Sequence, residues 1–221
     1  MTVTELAQAL RQKISQGLPG QAAHEAMAAD LASADPDPPK QPQEGAVAVL
    51  CYPEDDTFYL LLTARANNQN PLQGSTIGFP GIRLDAQQQT VEQAAREALL
   101  QELDVAPDQL TAAGALTSLY IPSSRIQIYP YFLLAPEKPD FQPDQEFVQE
   151  LIPVPFGTLH DKQHWQSMEV PLADGRTTKT AFFTFRGARI WGPAAMILNE
   201  VIQLLGPLRV FHHTSDTTRA N

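Results

Sequence analysis

The chain has 221 residues, 43% of them hydrophobic, and a formal net charge of −10. That is enough apolar material for the core of one large domain, or of a domain with appendages. The negative balance argues against general binding to nucleic acid or to an anionic membrane, both of which rely on basic surface.

No run approaches the roughly 18 apolar residues of a membrane span. The amphipathic start MTVTELAQALRQKISQ mixes acidic and basic residues and lacks the apolar centre of a secretory signal. Cys51 is the single cysteine, so neither an internal disulfide nor a cysteine zinc cluster is available. These features favour the cytoplasm.

In chain order, Thr4 to Gln16 reads as a short helix with Leu6, Leu10 and Ile14 at four-residue steps. Leu18-Pro19-Gly20 ends it, and the Ala-rich stretch from Gln21 to Leu31 reads as a second helical piece. Ala34 to Gly45 (ADPDPPKQPQEG) is a proline-rich connector. Ala46 to Tyr52 and Phe58 to Thr63 are apolar strands around the turn Pro53-Glu54-Asp55-Asp56, a hairpin. Arg65 to Gly78 is a polar loop. A tight turn at Pro80-Gly81 precedes another polar loop and a helix to about Val105, with Thr90 as N-cap and Glu92 and Gln93 in its first turn.

Two further strands, Ala113 to Tyr120 and Arg125 to Ala135, flank Ile121-Pro122-Ser123-Ser124. Over Asp140 to Leu159, the acidic residues Glu146 and Glu150 precede the apolar Val154-Pro155 piece. Val170 to Leu172 and Thr177 to Phe185 form a hairpin, and GARIWG precedes an apolar helix over Ala194 to Leu205. The expected organisation is a helical segment and linker over 1–45, a main domain over 46–206 and a polar tail over 207–221.

The stretch FPGIRLDAQQQTVEQAAREALLQELDV, from Phe79 to Val105, resembles the signature loop and helix of the Nudix hydrolases. It is most similar to the branch that includes coenzyme A pyrophosphatases, whose pattern is Phe-Pro-Gly-Gly, an acidic loop and Arg-Glu-x-x-Glu-Glu-x-Gly. Phe79-Pro80-Gly81 match, and Ile82 stands at the second Gly. Glu97 takes the Arg place, Ala98, Gln101 and Glu102 the three Glu places, and Asp104 the closing Gly. Upstream, Leu61-Leu62-Thr63 and Arg65 match the branch, while Gln73 stands at its His. Downstream, the Tyr-x-Pro-Ser turn and Ile-Trp-Gly followed by Ala also match, so the resemblance spans roughly Gln16 to Leu205. It implies an α/β fold, an α/β/α sandwich with a mixed β-sheet.

The family helix holds Mg²⁺ or Mn²⁺, hard cations that prefer several carboxylate and water oxygens. Positions 98, 101 and 102 fall within about 100° of one helix face. Here they are Ala, Gln and Glu, so one charge remains, and Glu97 lies roughly 140° away from Glu102.

Glu102 is the surviving candidate for a catalytic metal ligand, with Gln101 beside it as a neutral second. The competing reading is a structural acid on a solvent-facing helix. Arg65 and Arg83 are candidates for ligand phosphates, since guanidinium groups bind such anions bidentately. Phe79, Gly81, Tyr120 and Ser123 are candidates to line the same pocket. Trp191 is expected to be packing at the start of the last helix, and His160 and His164 would share one helix face.

Two functions follow. The first is a Nudix-fold protein that has lost metal-dependent hydrolysis and binds a nucleoside-diphosphate-type small molecule or a protein partner, with no cofactor. The second is an active pyrophosphohydrolase with a rearranged Mg²⁺ or Mn²⁺ site that draws on Asp85 and Glu146. A purely structural role through dimerisation is a weaker third.

Overall fold

The computed structural model describes residues 1–28, 42–65, 77–85, 89–122, 124–171 and 177–206. Ser123, most of the connector, most of the loop after Arg65 and the tail from residue 207 lie outside the described residues.

The first strands explain the architecture. β1 (Gln43–Glu54) and β2 (Thr57–Arg65) form the expected hairpin, closed by Asp55 and Asp56 in left-handed conformation. Asp is among the few non-glycine residues that tolerate this region at tight turns. Along β1 the side chains alternate: Val49 and Cys51 enter one core cluster, Ala48, Leu50 and Tyr52 the other. Both faces of the strand are therefore covered, which accounts for its nearly unbroken apolar run.

β1 runs parallel to β7 (Ile126–Leu134) and antiparallel to β2 and β4 (Gly81–Arg83). β2 also pairs with β3 (Ile77–Gly78) and with β8 (Val148–Pro155). β7 adds β5 (Thr111–Ala115) and β6 (Leu119–Ile121), completing a mixed eight-stranded sheet. A separate three-stranded antiparallel sheet holds β9 (Trp165–Pro171), β10 (Thr177–Phe185) and β11 (Ala188–Ile190). The stretch over residues 140–159, which by the family resemblance leads into a helix, contains β8 and then the four-residue helix α4 (Phe156–Leu159). β8 pairs antiparallel with β2 from Tyr59↔Pro155 to Ala64↔Glu150, with a register shift before Arg65↔Val148, so its strand character comes from sheet pairing.

Helices cover the two faces. α3 (Val91–Leu103) packs on the Leu50 and Leu133 side through Ala95, Leu99 and Leu103. A capping box fixes its start: Gln93 N–H donates to Thr90 Oγ1, and Gln93 accepts from Thr90 N–H. Its end is Asp104 at φ 57°, the left-handed C-cap that a glycine would supply most cheaply. On the other face lie α1 (Val3–Gln16), α2 (Gln21–Ala28) and α5 (Pro193–Leu205), whose core positions Leu6, Leu10, Leu198, Val201 and Leu205 join the Val49 cluster. The fold is thus an α/β/α arrangement around a mixed sheet.

The N-terminal helices are tied in by polar contacts. Glu200 on α5 is fully buried; it accepts from Thr117 N–H and Oγ1 and faces His24 Nε2 on α2 at 3.2 Å. Asn199 Nδ2 donates to Ala23 O, and Thr180 Oγ1 donates to Met27 O. The sequence carried a signal for this cluster, a lone acid inside the apolar run AAMILNEVIQLL.

Candidate functional site

The site forms where the end of β2, the Phe79-Pro80-Gly81 turn and the C-terminal turn of α3 meet. Pro80 O accepts from Ala48 N–H at 2.8 Å, locking the turn onto β1. Gly81 is required by packing: a Cβ there would stand 2.7 Å from Val47 Cγ1 and 2.8 Å from Ala46 O.

Glu102 reaches this turn from α3. Its Oε1 accepts from Gly81 N–H at 3.1 Å and from Arg65 Nη2 at 3.0 Å, and Arg65 Nη2 also donates to Gly81 O at 3.1 Å. One carboxylate and one guanidinium thus clamp three elements together. Glu102 is only 2% exposed, which corrects the expectation of a solvent-facing acid. The helix turns this position inward with Ala98, which is fully buried. Burial pushes the Glu102 carboxyl above its ordinary 4.5, against the opposing pull of the Arg65 charge and the Gly81 N–H.

Gln101 points elsewhere. It is exposed, and its Nε2 donates to Glu97 Oε1 at 2.7 Å, so the two do not join Glu102. Asp85 and Glu146 are exposed as well. Among the described residues no three His, Cys, Asp or Glu side chains come together as a metal site. Glu102 Oε2 is buried without a hydrogen-bond partner among the described residues, a single free lone-pair donor. A hard divalent cation needs several oxygens, and here it would also face the Arg65 guanidinium. Among the described residues the donor set does not fit Mg²⁺ or Mn²⁺.

In front of the clamp lies a cleft of about 500 Å³. Val47, Phe79, Ile128 and Ile197 give it an apolar lining; Arg83, the Arg65 guanidinium paired with Glu102, and the Glu44 carboxylate, which accepts from Tyr129 OH, stand along its edge. Glu102 is not part of this lining; it sits behind Gly81 and Arg65. Arg83 is exposed and has no carboxylate partner among the described residues. Of the expected pocket residues, Arg65, Phe79, Gly81 and Arg83 come together here. Tyr120 stands apart on β6, half buried.

Trp191 departs from the expected packing at the start of the last helix. It is 51% exposed and forms part of the cleft wall instead of packing in the core. It lies between β11 and the N-cap of α5, Gly192, whose φ of 59° turns the chain sharply. His160 and His164 do not share a helix face: one follows α4, the other ends a 3₁₀ turn with its Nδ1 2.6 Å from Thr184 O.

No protein-family model matches the chain, and no curated protein matches it. Solved structures do. A Nudix hydrolase from M. smegmatis, RenU, superposes with a TM-score of 0.52 at 19% identity, over 77% of this chain and 89% of that one. A MutT/nudix family protein from Enterococcus faecalis gives 0.48 at 13% identity, over 93% and 80%. The NUDIX domain of Shewanella oneidensis NrtR, solved with ADP ribose, gives 0.43 at 19% identity, over 59% and 84%. The first of these shows that the chain has the Nudix fold. At such identity the likeness extends to the fold and not to the chemistry. Among the described residues no helix is long and apolar enough to cross a membrane.

Proposed function

We propose that this is a Nudix-fold binding protein for a nucleoside-diphosphate-type small molecule, in which metal-dependent hydrolysis has been lost. One observation carries the reading: the Glu102 carboxylate is engaged by Arg65 and Gly81 behind the cleft, with Ala98 and Gln101 where further carboxylates would be needed. An apolar cleft edged by two arginines suits a ligand with a flat or aliphatic part and a phosphate group. The resemblance to coenzyme A pyrophosphatases makes coenzyme A and its relatives the first ligands to try.

A second reading, a hydrolase with a rearranged site, draws on the unpartnered Glu102 Oε2. A thermal-shift screen of coenzyme A, ADP-ribose and dinucleoside polyphosphates, each in EDTA and in Mn²⁺, separates the two. A ligand that binds only the folded state raises the melting temperature by mass action. The binding-protein reading expects equal stabilisation in EDTA and in Mn²⁺. Stabilisation confined to Mn²⁺, with product released, supports the hydrolase.

A further inference from the structure

A second pocket adjoins the cleft. It lies between β8 and the β10–β11 hairpin and shares Ile77 and Trp191 with the cleft as a common wall. Its volume is about 680 Å³, and it carries Arg186 and Arg189 on one side and Glu150 on the other.

The hairpin presents Arg186 from its turn and Arg189 from β11. Arg186 at φ 48° and Gly187 at φ 81° occupy the two central positions, both left-handed, as the tightest hairpin turns require. A bulky residue at such a φ is unusual, and Asn would be the cheaper choice. The Arg186 guanidinium lies 5.2 Å from the Phe185 ring centroid, and that of Arg189 lies 5.7 Å from the Phe182 ring. Both arginines are exposed, and among the described residues no carboxylate pairs with either. Aromatic faces hold the charges without neutralising them. With Glu150 included, the pocket retains an excess of positive charge.

We infer that the cleft and this pocket are two chambers of one binding site, joined across Trp191, for an elongated ligand. Its flat or aliphatic part and first phosphate occupy the Arg65–Arg83 chamber. A second, separate anionic group reaches Arg186 and Arg189. The exposed indole between the chambers is a stacking surface at their junction. The inference rests on the proposed binding of a phosphorylated small molecule in the cleft, and adds to it a second anionic group at a distance from the first.

The test uses the full chain in EDTA with two probes, read by calorimetry. AMP carries one phosphate and is short enough for one chamber; coenzyme A carries phosphates at separated positions. The double variant Arg186→Asn with Arg189→Gln keeps the turn, because Asn tolerates a positive φ and both positions are exposed. It is expected to weaken coenzyme A at least tenfold and AMP less than twofold. Glu150→Gln, which removes the opposing charge, is expected to tighten coenzyme A. Equal affinity of wild type and the double variant for coenzyme A would overturn the two-chamber site and leave the binding reading standing. No heat with either probe in wild type would overturn both.

Discussion

Replacing Glu102 tests what its carboxylate is for. As Ala it removes the acceptor of both Gly81 N–H and Arg65. Deleting one partner of a buried ion pair costs about 3–5 kcal/mol. The Arg65 side chain is 37% exposed, so water recovers part of its charge, and a loss of about 2–3 kcal/mol is the better expectation. For a chain of this size each kcal/mol moves the melting temperature by about 2–4 °C, so Glu102→Ala is expected to melt roughly 4–12 °C below wild type. Glu102→Gln retains an acceptor for both donors and removes a charge that burial disfavours, so it is expected to cost about 1 kcal/mol or less.

The pH dependence has a definite sign. The folded state raises the Glu102 pKa above its ordinary 4.5, so it binds this proton more tightly than the unfolded chain. The resulting stability is fully present below 4.5 and is lost as pH rises through the raised value. Melting curves of wild type and Glu102→Gln over about pH 4 to 8 give the comparison. The wild-type advantage should shrink as pH rises through that window. An advantage that grows with pH would mean that the fold stabilises the ionised carboxylate, and would refute the reasoning.

Other perturbations follow from the same geometry. Gly81→Ala drives a Cβ into Val47 and the Ala46 carbonyl, and is expected to cost about 1–3 kcal/mol by chemical denaturation. Ala98→Glu places an unpartnered acid at a fully buried position and should cost about 3 kcal/mol or more; a variant that melts like wild type and binds Mn²⁺ would mean this face opens to the cleft. Trp191→Ala removes an exposed side chain, so stability should hold within about 0.5 kcal/mol while affinity for a cleft ligand falls. Glu200→Ala leaves Thr117 and His24 without their acceptor, and limited proteolysis should then cut within residues 1–28 faster than in wild type; an unchanged pattern would show that apolar packing alone holds the N-terminal helices.

Much of the fold was legible because its signals are local. Thr90 and Gln93 announce the start of α3, and the apolar runs on either side of Asp55-Asp56 announce the first hairpin. β8 was not legible, since its strand character comes from pairing with β2 across a long sequence separation. The site was legible in part. The replacement of carboxylates at 98 and 101 could be read directly, as could the candidacy of Arg65. Their spatial relation could not: the 3.6-residue period sets 98, 101 and 102 near one face but does not say where the boundary of burial falls. It falls between Gln101 and Glu102. That boundary places Glu102 on the buried side, where its carboxylate accepts from the Arg65 guanidinium. A large aromatic beside an apolar helix ordinarily packs, whereas Trp191, followed by Gly192 at φ 59°, stands 51% exposed in the cleft wall.

In the proposed binding protein Glu102 serves Arg65 and Gly81 and not a divalent cation. Calorimetric titration of the full chain with Mn²⁺, beside Glu102→Ala, distinguishes these roles. The expected result is no binding in either protein up to millimolar metal. Micromolar binding in wild type that disappears in Glu102→Ala would contradict it, and would return this carboxylate to the role of metal ligand.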